Sequence, residues 1–534
     1  MAGRRIRIGV DTGGTFTDVV AVDEDTGQIV TTKTPSTPVD PAEGFLTGIR
    51  KLLDALGAPP GAITSISHGT TVATNQLLEG RIAGLGFITT DGYRFMLEIA
   101  RQSVPDGYGN SYFWVKPDRI VPPDLVRTVR GRLDYTGAEI ERFDEAQAVA
   151  AARFFAERGI DTIGVCFLHA YANPEHELRM RDVLHREHPL AVVSLSCEVL
   201  PEYREYERSV TTLVDAAVKP TIGRYVRSVT SRLAGLRAAG PPIPFYVMKS
   251  NGGVLSGGEV VHQPITTVLS GPAAGVLGGA LVARQAGFDR VLTCDGGGTS
   301  TDVSVVLDGE PTLTTEGRVG PFPSKIPMID VVTVGAGGGS VAWISPDRAL
   351  KVGPRSAGAV PGPMCYPGGG TEVTVTDAHV ALGRIPPSLL AGEIPLDVDR
   401  SRRGIAALGA EVGLGGDDCA TGILEVSAWN QANALRQVTV RRGLDVRDFT
   451  LATFGGSGSL LLCRLMDILA INQALVPINP ASLSAFGLLT VDVKNDYVRT
   501  AVVRHSQLDV TALAELFDVL QAQAAAALDR EGFA

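Results

Sequence analysis

The chain has 534 residues, 44% of them hydrophobic and 20% charged, which exceeds one ordinary core and predicts several domains. Its 48 Lys and Arg against 58 Asp and Glu leave a formal charge of −10, which argues against a nucleic-acid or anionic-membrane surface. The six cysteines form no C-x-x-C pair, so neither a disulfide framework nor an iron–sulfur cluster is expected. The start "MAGRRIRIGV" carries no apolar signal-peptide core, and the longest apolar tract is too short to cross a bilayer, so a cytoplasmic location is expected. The 62 glycines cluster in a few loops, where backbone turns sharply or approaches a ligand.

In chain order, "RIRIGV" and "TDVVAV" read as strands flanking a glycine turn. "PAEGFLTGIRKLLDALG" predicts a helix with Phe45, Ile49, Leu52, Leu53 and Leu56 on one face and Gly57 as its stop. "AITSISHG" predicts a strand running into a turn before a helix through "TVATNQLLEG". "RFDEAQAVAAARFFAERG", "TIGVCFLHAY" and "PEHELRMRDVLHREH" predict helix, strand and helix. From about Leu200 to Gly240 the pattern is helical, with an interruption expected at Pro220. "PFYVMKS", a small-residue helix at "PAAGVLGGALVARQAG" and a second strand–turn–strand at "RVLTCDGGGTSTDVSVVL" follow. "VGAGGGS" and "VPGPMCYPGGG" are glycine loops, "FTLATFGGSG" is a strand ending in glycines, and "LDVTALAELFDVLQAQAAAALDREGFA" is a C-terminal helix. The alternation predicts an α/β fold with mixed sheets.

The turn "DTGGTFTD" at Asp11–Asp18 returns as "DGGGTSTD" at Asp295–Asp302, both fitting D-x-G-G-T-x-T-D. In the first, Asp11 ends a strand, Gly13 and Gly14 allow close approach of anionic oxygens, and Thr15 and Thr17 add hydroxyls. Asp295, Gly297, Gly298 and Thr299 supply the same equipment from the second. An acidic group in an anion-binding turn makes sense if Mg²⁺ lies between them. Two such turns facing each other would clamp one polyphosphate.

The paired turns resemble the two phosphate loops of the actin, sugar-kinase and heat-shock-chaperone ATPase superfamily, and "LATFGGSGS", with Gly455 and Gly456, is similar to its adenosine loop. Within it, "HGTTVATNQLLEG", "SCEVLPEYREYER", "SGPAAGV", "VGAGGGSVAW" and "GPMCYPGGGTEVTVTDAHVALGR" resemble the hydantoinase/oxoprolinase family. The resemblance is to its ATP-binding A subunit, which acetone and acetophenone carboxylases also contain, and it runs from about Arg5 to Val502. It implies duplicated ribonuclease-H-like lobes with a nucleotide cleft between them: residues 1–195 with the first phosphate loop, 196–500 with the second phosphate loop and the adenosine loop, and a C-terminal segment 501–534 that begins a part deleted or carried by another polypeptide.

The activity implied is ATP-dependent phosphorylation of the carbonyl oxygen of a cyclic amide (a hydantoin, 5-oxoproline or another lactam), completed with a B-type partner in a hetero-oligomer. Its alternative is the equivalent subunit of a ketone carboxylase, and a nucleotide-switched binding protein is the reading from another class. ATP and Mg²⁺ are the implied cofactors, with Asp11 and Asp295 organising the metal directly or through water. Gly337, Gly338 and Gly339 of "VGAGGGS" are expected to face nucleotide or substrate. His68 is assigned a catalytic acid/base or orienting role, with Thr70, Thr71 and Asn75 on the substrate; a structural His68 beside a helix-capping Thr70 is the alternative. Cys365, Asp377 and His379 fit no metal-ligand spacing, and an ordering role in their loop is expected. The adenosine-like loop lacks the family's proline and histidine, so chemistry attributed to that histidine is not expected here.

Overall fold

In a computed structural model, residues 4–37, 39–78, 80, 82, 84–101, 119–237 and 240–531 are described. The final three residues of the expected C-terminal helix lie outside them.

The first sheet begins with a meander, β1 (Ile6–Thr12), β2 (Phe16–Asp23) and β3 (Ile29–Pro35). Helix α1 (Pro41–Leu56) returns the chain to β4 (Ile63–Thr70), which pairs parallel with β1. Phe45, Ile49, Leu52 and Leu53 are buried as the periodicity requires, and Gly57 closes the helix at φ 58°. After α2 (Val72–Leu78), the strands β5 (Leu85–Thr90), β6 (Val126–Val129), β7 (Thr162–Cys166) and β8 (Val192–Leu195) form a separate parallel sheet in the order β8-β7-β5-β6. Helices α3 (Glu145–Glu157) and α4 (Glu175–Glu187) lie among these strands in the chain.

Helix α5 (Glu205–Leu236) runs unbroken through Pro220, against the expected interruption. Every residue from Arg208 to Val218 is buried, so tertiary packing outweighs the one backbone hydrogen bond that proline forfeits. Strands β9 (Phe245–Met248) and β10 (Val254–Ser256) then complete the first sheet, ordered β10-β9-β4-β1-β2-β3, so that sheet draws on residues well beyond position 195.

Helix α6 (Ser270–Gln285) leads to a second sheet with a matching start: β11 (Val291–Gly296), β12 (Thr301–Leu307) and β13 (Glu310–Pro311) form an antiparallel meander. Strand β14 (Val331–Val334) also pairs with β12. After α7 (Val375–Ala381) and α8 (Gly416–Val440), β15 (Thr450–Phe454) and β16 (Ala474–Leu475) extend the sheet in parallel, giving β13-β12-β11-β15-β16. The first and second sheets thus each start with a three-stranded antiparallel meander that parallel pairing then extends, as expected for a mixed α/β fold.

Short helix α9 (Leu483–Gly487) crosses α6 backbone to backbone. A Cβ at Gly278 would stand 2.8 Å from the Leu483 carbonyl oxygen, and one at Gly487 would collide with the Ala274 carbonyl. Small residues in α6 are therefore required by close approach rather than by helix propensity. Gly9 of β1 meets the Ala485 carbonyl in the same way, so α9 is wedged between α6 and the first sheet. Helix α10 (Val510–Glu531) closes the described chain.

Candidate functional site

The two repeated turns line one cavity of about 410 Å³. Register explains how each presents its acids. Asp11 of β1 pairs with Asp18 of β2, and Asp295 of β11 pairs with Asp302 of β12. Cross-strand partners share a face of an antiparallel pair, so each hairpin puts both its carboxylates on the cavity side. The turns close identically, Gly13 N–H donating to the Phe16 carbonyl at 3.0 Å and Gly297 N–H to the Ser300 carbonyl at 2.9 Å.

None of Gly13, Gly14, Gly297 and Gly298 has positive φ. These glycines serve space instead. At Gly14 a Cβ would project into the open cavity, and at Gly298 it would stand 2.9 Å from Thr15 Oγ1 of the other hairpin.

Asp11 lies deepest. Its Oδ1 is buried with no hydrogen-bond partner among the described residues. Burial, then the charges of Asp18 and Asp295, push its carboxyl up to about 8. Gly69 and Gly271 leave room around this oxygen; a Cβ at either would come within 3.1 Å of it. Burial also raises Asp302 to about 7 and Asp295 to about 6, while Ser484 Oγ donates to Asp295 Oδ2 at 3.1 Å. Burial raises Asp18 as well, opposed by Lys33, whose Nζ lies 2.7 Å from both its oxygens. Asp18, Asp302 and Lys33 stand in the site although the sequence reading gave the acids no role. The final Asp of D-x-G-G-T-x-T-D was the available signal, since a hairpin must bring the motif's two ends together.

Of the other expected residues, Thr15, Thr299, Thr71, Gly338, Gly339, Gly455 and Gly456 also line the cavity. Thr17 does not: it is buried behind the turn, 3.1 Å from Ser36 Oγ. Gly337 packs against the second hairpin's backbone, where a Cβ would stand 2.7 Å from Ser300 N. Gly338 and Gly339 spend their N–H groups on the Gly297 and Gly298 carbonyls, at 3.0 and 2.6 Å, so this loop braces the hairpin. Ser457, after Gly455 and Gly456, likewise donates through N and Oγ to the Gly296 and Gly297 carbonyls, at 2.8 and 2.9 Å.

His68 is the main correction. It is fully buried, sits outside the cavity lining and packs among Phe45, Phe245 and Tyr225. One nitrogen, Nδ1, lies 2.9 Å from the Val10 carbonyl and the other, Nε2, 2.7 Å from the Tyr225 hydroxyl. Burial drives its pKa down to about 4, so the ring is neutral, its Nδ1–H donating to Val10 while Nε2 accepts from Tyr225. It has no lone pair or proton left for a substrate. Thr70 caps α2, its Oγ1 accepting from Val72 N–H at 3.2 Å. Asn75 stands behind Thr71, with Nδ2 donating to its Oγ1 at 3.2 Å.

Asp377 orders its loop, accepting from the backbone N–H groups of Met364, Cys365 and Thr374 and from the Thr374 and Ser401 hydroxyls. No cluster of three or more His, Cys, Asp or Glu fit to hold a metal exists among the described residues.

Fold and site together define an α/β protein with an acid-rich, glycine-walled cleft between two similarly begun sheets. The hydantoinase/oxoprolinase family model matches residues 208–497, and the model of that family's N-terminal region matches residues 7–188. The caprolactamase subunit alpha of Pseudomonas jessenii is 34% identical over 541 residues, covering all of this chain and 77% of that one. The crystal structure of the ATP-dependent caprolactamase from the same organism superposes with a TM-score of 0.82 at 32% identity, covering 98% of this chain and 77% of the other. A nucleotide-free acetone carboxylase structure also reaches 0.82, at 28% identity, covering 92% of this chain and 71% of the other. The chain belongs to the hydantoinase/oxoprolinase family. No helix among the described residues is long and apolar enough to cross a membrane.

Proposed function

We propose that this chain is the ATP-using subunit of a cyclic-amide hydrolase, phosphorylating the amide carbonyl oxygen so that a partner subunit completes ring opening. The observation that carries this reading is the pair of matched acidic hairpins, Asp11 with Asp18 and Asp295 with Asp302, lining one cavity. The matching sheet order supports a duplicated actin-like architecture of two lobes with the nucleotide cleft between them, the chain to Ser256 completing the first lobe's sheet. The residues from 501 onward belong to this reading as a separate C-terminal segment. The ATP dependence and the lactam substrate of the caprolactamase support the assignment, as does its being built of subunits.

An amide carbonyl is a poor electrophile. Transfer of the terminal phosphoryl group of ATP to its oxygen, with release of ADP, opens the carbon to water; the ring C–N bond then breaks as the protonated amine leaves, and hydrolysis of the resulting acyl phosphate yields carboxylate and phosphate. Such a transfer needs alignment and charge neutralisation more than covalent help from the protein. Gly13, Gly14, Gly297 and Gly298 give the phosphates close access to backbone, and Thr15 and Thr299 offer hydroxyls. Gly455 and Gly456 would take the nucleoside.

Four acids facing one lysine offer a polyphosphate little positive charge unless a cation intervenes. The unpartnered Asp11 Oδ1, in the space kept by Gly69 and Gly271, fits Mg²⁺, with Asp11 and Asp295 holding it partly through water or phosphate oxygens. When bound, the metal would neutralise phosphate charge. The protein's own residues align the hairpins, and Ser484 orients Asp295.

The test is Asp295→Asn. It should abolish substrate-dependent phosphate release while leaving the melting temperature within a few degrees of the parent; unchanged turnover refutes the reading. The acetone carboxylase superposition favours a second reading, the ATP-binding subunit of a ketone carboxylase. Assays with ketone and bicarbonate in place of lactam separate the two.

A further inference from the structure

Beyond the hairpins the cavity changes character. Its far end is lined by Pro363, Tyr366, His379, Ile385, Leu389 and Leu390, which is mostly aliphatic. These residues come from the loop before α7, from α7 itself and from a strap made of a two-residue antiparallel ribbon, Ser388–Leu389 with Ile394–Pro395. The strap reaches across the cleft, where Glu393 pairs with Lys51 of α1 at 2.6 Å.

Within this apolar end one fully buried polar side chain has no hydrogen-bond partner among the described residues. His379 is 1% exposed, and its Nδ1 is buried without a hydrogen bond among the described residues. Burial, with the nearby charge of the exposed Arg384, lowers its pKa to about 4, so the ring is neutral at pH 7. Three residues earlier on α7, Thr376 donates to the Gly338 carbonyl at 2.8 Å, and Gly338 is bonded to the second phosphate turn. Positions three apart share a helix face, so His379 stands one turn from the glycine loop that braces the hairpin. A buried imidazole nitrogen is costly to leave unpaired and calls for a ligand atom. Lys33 is the only Lys or Arg among the described lining residues, and it is committed to Asp18.

We propose that this end binds the ring of an uncharged cyclic amide, its methylenes against Ile385, Leu389 and Leu390 and one amide polar atom on Nδ1 of His379, and that it rejects lactams bearing a carboxylate. The proposal rests on the cyclic-amide reading and narrows its substrate class. A carboxylate here would be desolvated with no free Lys or Arg in the lining to pair with it and would face the cavity's acids, whereas a neutral ring meets neither cost. Gly455, Gly456, Leu460 and Ala481 line the same cavity and in this reading would take the nucleoside.

The experiment uses the full chain with its co-purifying subunit and three probes: caprolactam, 2-pyrrolidinone and 5-oxoproline. The last two differ only by a carboxylate. Lactam binding is read by calorimetry, nucleotide binding separately with a non-hydrolysable ATP analogue, and turnover by phosphate release. The neutral lactams should bind at least about tenfold more tightly than 5-oxoproline. His379→Ala should weaken neutral-lactam binding and raise its KM about tenfold, with the nucleotide Kd changed less than about twofold. His379→Asn, which returns a polar atom near the Nδ1 position, should recover part of the loss. A weakened nucleotide Kd with lactam binding unchanged would make this end the base pocket and overturn the proposal, as would a preference for 5-oxoproline or no lactam binding by the parent. Failure of nucleotide binding with lactam binding still dependent on His379 would sink the ATP assignment and leave this site standing.

Discussion

Gly298 of the second hairpin rests against Thr15 of the first, so near that a Cβ at 298 would stand 2.9 Å from the threonine Oγ1. The two turns meet directly, and their spacing is set by the absence of one side chain. Gly298→Ala should therefore part the turns by a few tenths of an ångström. Misplacement on that scale should cost up to roughly tenfold in turnover. Folding should change little, because the contact lies at a cavity wall. Steady-state phosphate release beside a thermal melt checks both halves, and undiminished turnover contradicts the contact.

Lys33 holds both oxygens of Asp18 at 2.7 Å, with its side chain 22% and that of Asp18 14% exposed. Lys33→Met strands a mostly buried carboxylate and should cost about 2 kcal/mol of stability. Asp18→Asn in the same chain should return most of it, since the neutral amide needs no counter-charge. Urea denaturation of the two single variants and the double variant measures the coupling.

His68 makes acid stability a readout of its burial. Its folded pKa of about 4 lies below the ordinary 6.5, so the stability it contributes is present above about pH 6.5 and is lost as pH falls toward 4. The raised carboxyls of Asp11, Asp295 and Asp302 act in the opposite sense, favouring the fold as pH falls. The difference between parent and His68→Gln isolates the histidine. Between pH 6.5 and 4.5 the parent should lose on the order of 1 kcal/mol per pH unit relative to the variant. Tyr225→Phe, which leaves Nε2 unpaired, should destabilise by about 1–3 kcal/mol at pH 7.5 without altering the nucleotide Kd. An unchanged melting temperature with lost turnover would restore His68 to catalysis.

Asp377 gathers five donors around one buried carboxylate. Asp377→Ala leaves them unsatisfied and should cost about 3–5 kcal/mol, and it should loosen the loop carrying Met364 and Cys365. Hydrogen exchange over residues 360–377 is the direct measurement.

Much of the fold was legible because it rests on local rules. The face of α1, the Gly57 stop and the strands around each glycine turn follow from periodicity and turn chemistry. The unbroken helix through Pro220 was not legible, because burial from Arg208 to Val218 is a tertiary fact. The site divided in the same way. Asp11 and Asp295 stood out as motif openers, but the roles of Asp18 and Asp302 needed the strand register. His68 lay in a motif that matched in full, yet nothing local shows whether a strand-end histidine turns toward solvent, ligand or core. His379 became conspicuous only once its ring was seen to lack a partner beside an aliphatic wall.

The crossing of α6 and α9 has a mechanical consequence. Where Gly278 and Gly487 meet main chain, the contact is too tight to admit compression. The joint fixes a distance: α6 also sets Gly271 against Asp11 Oδ1 and Gly275 against Asp295 Oδ2, so the helix pinned by this crossing spaces the carboxylates of the two hairpins.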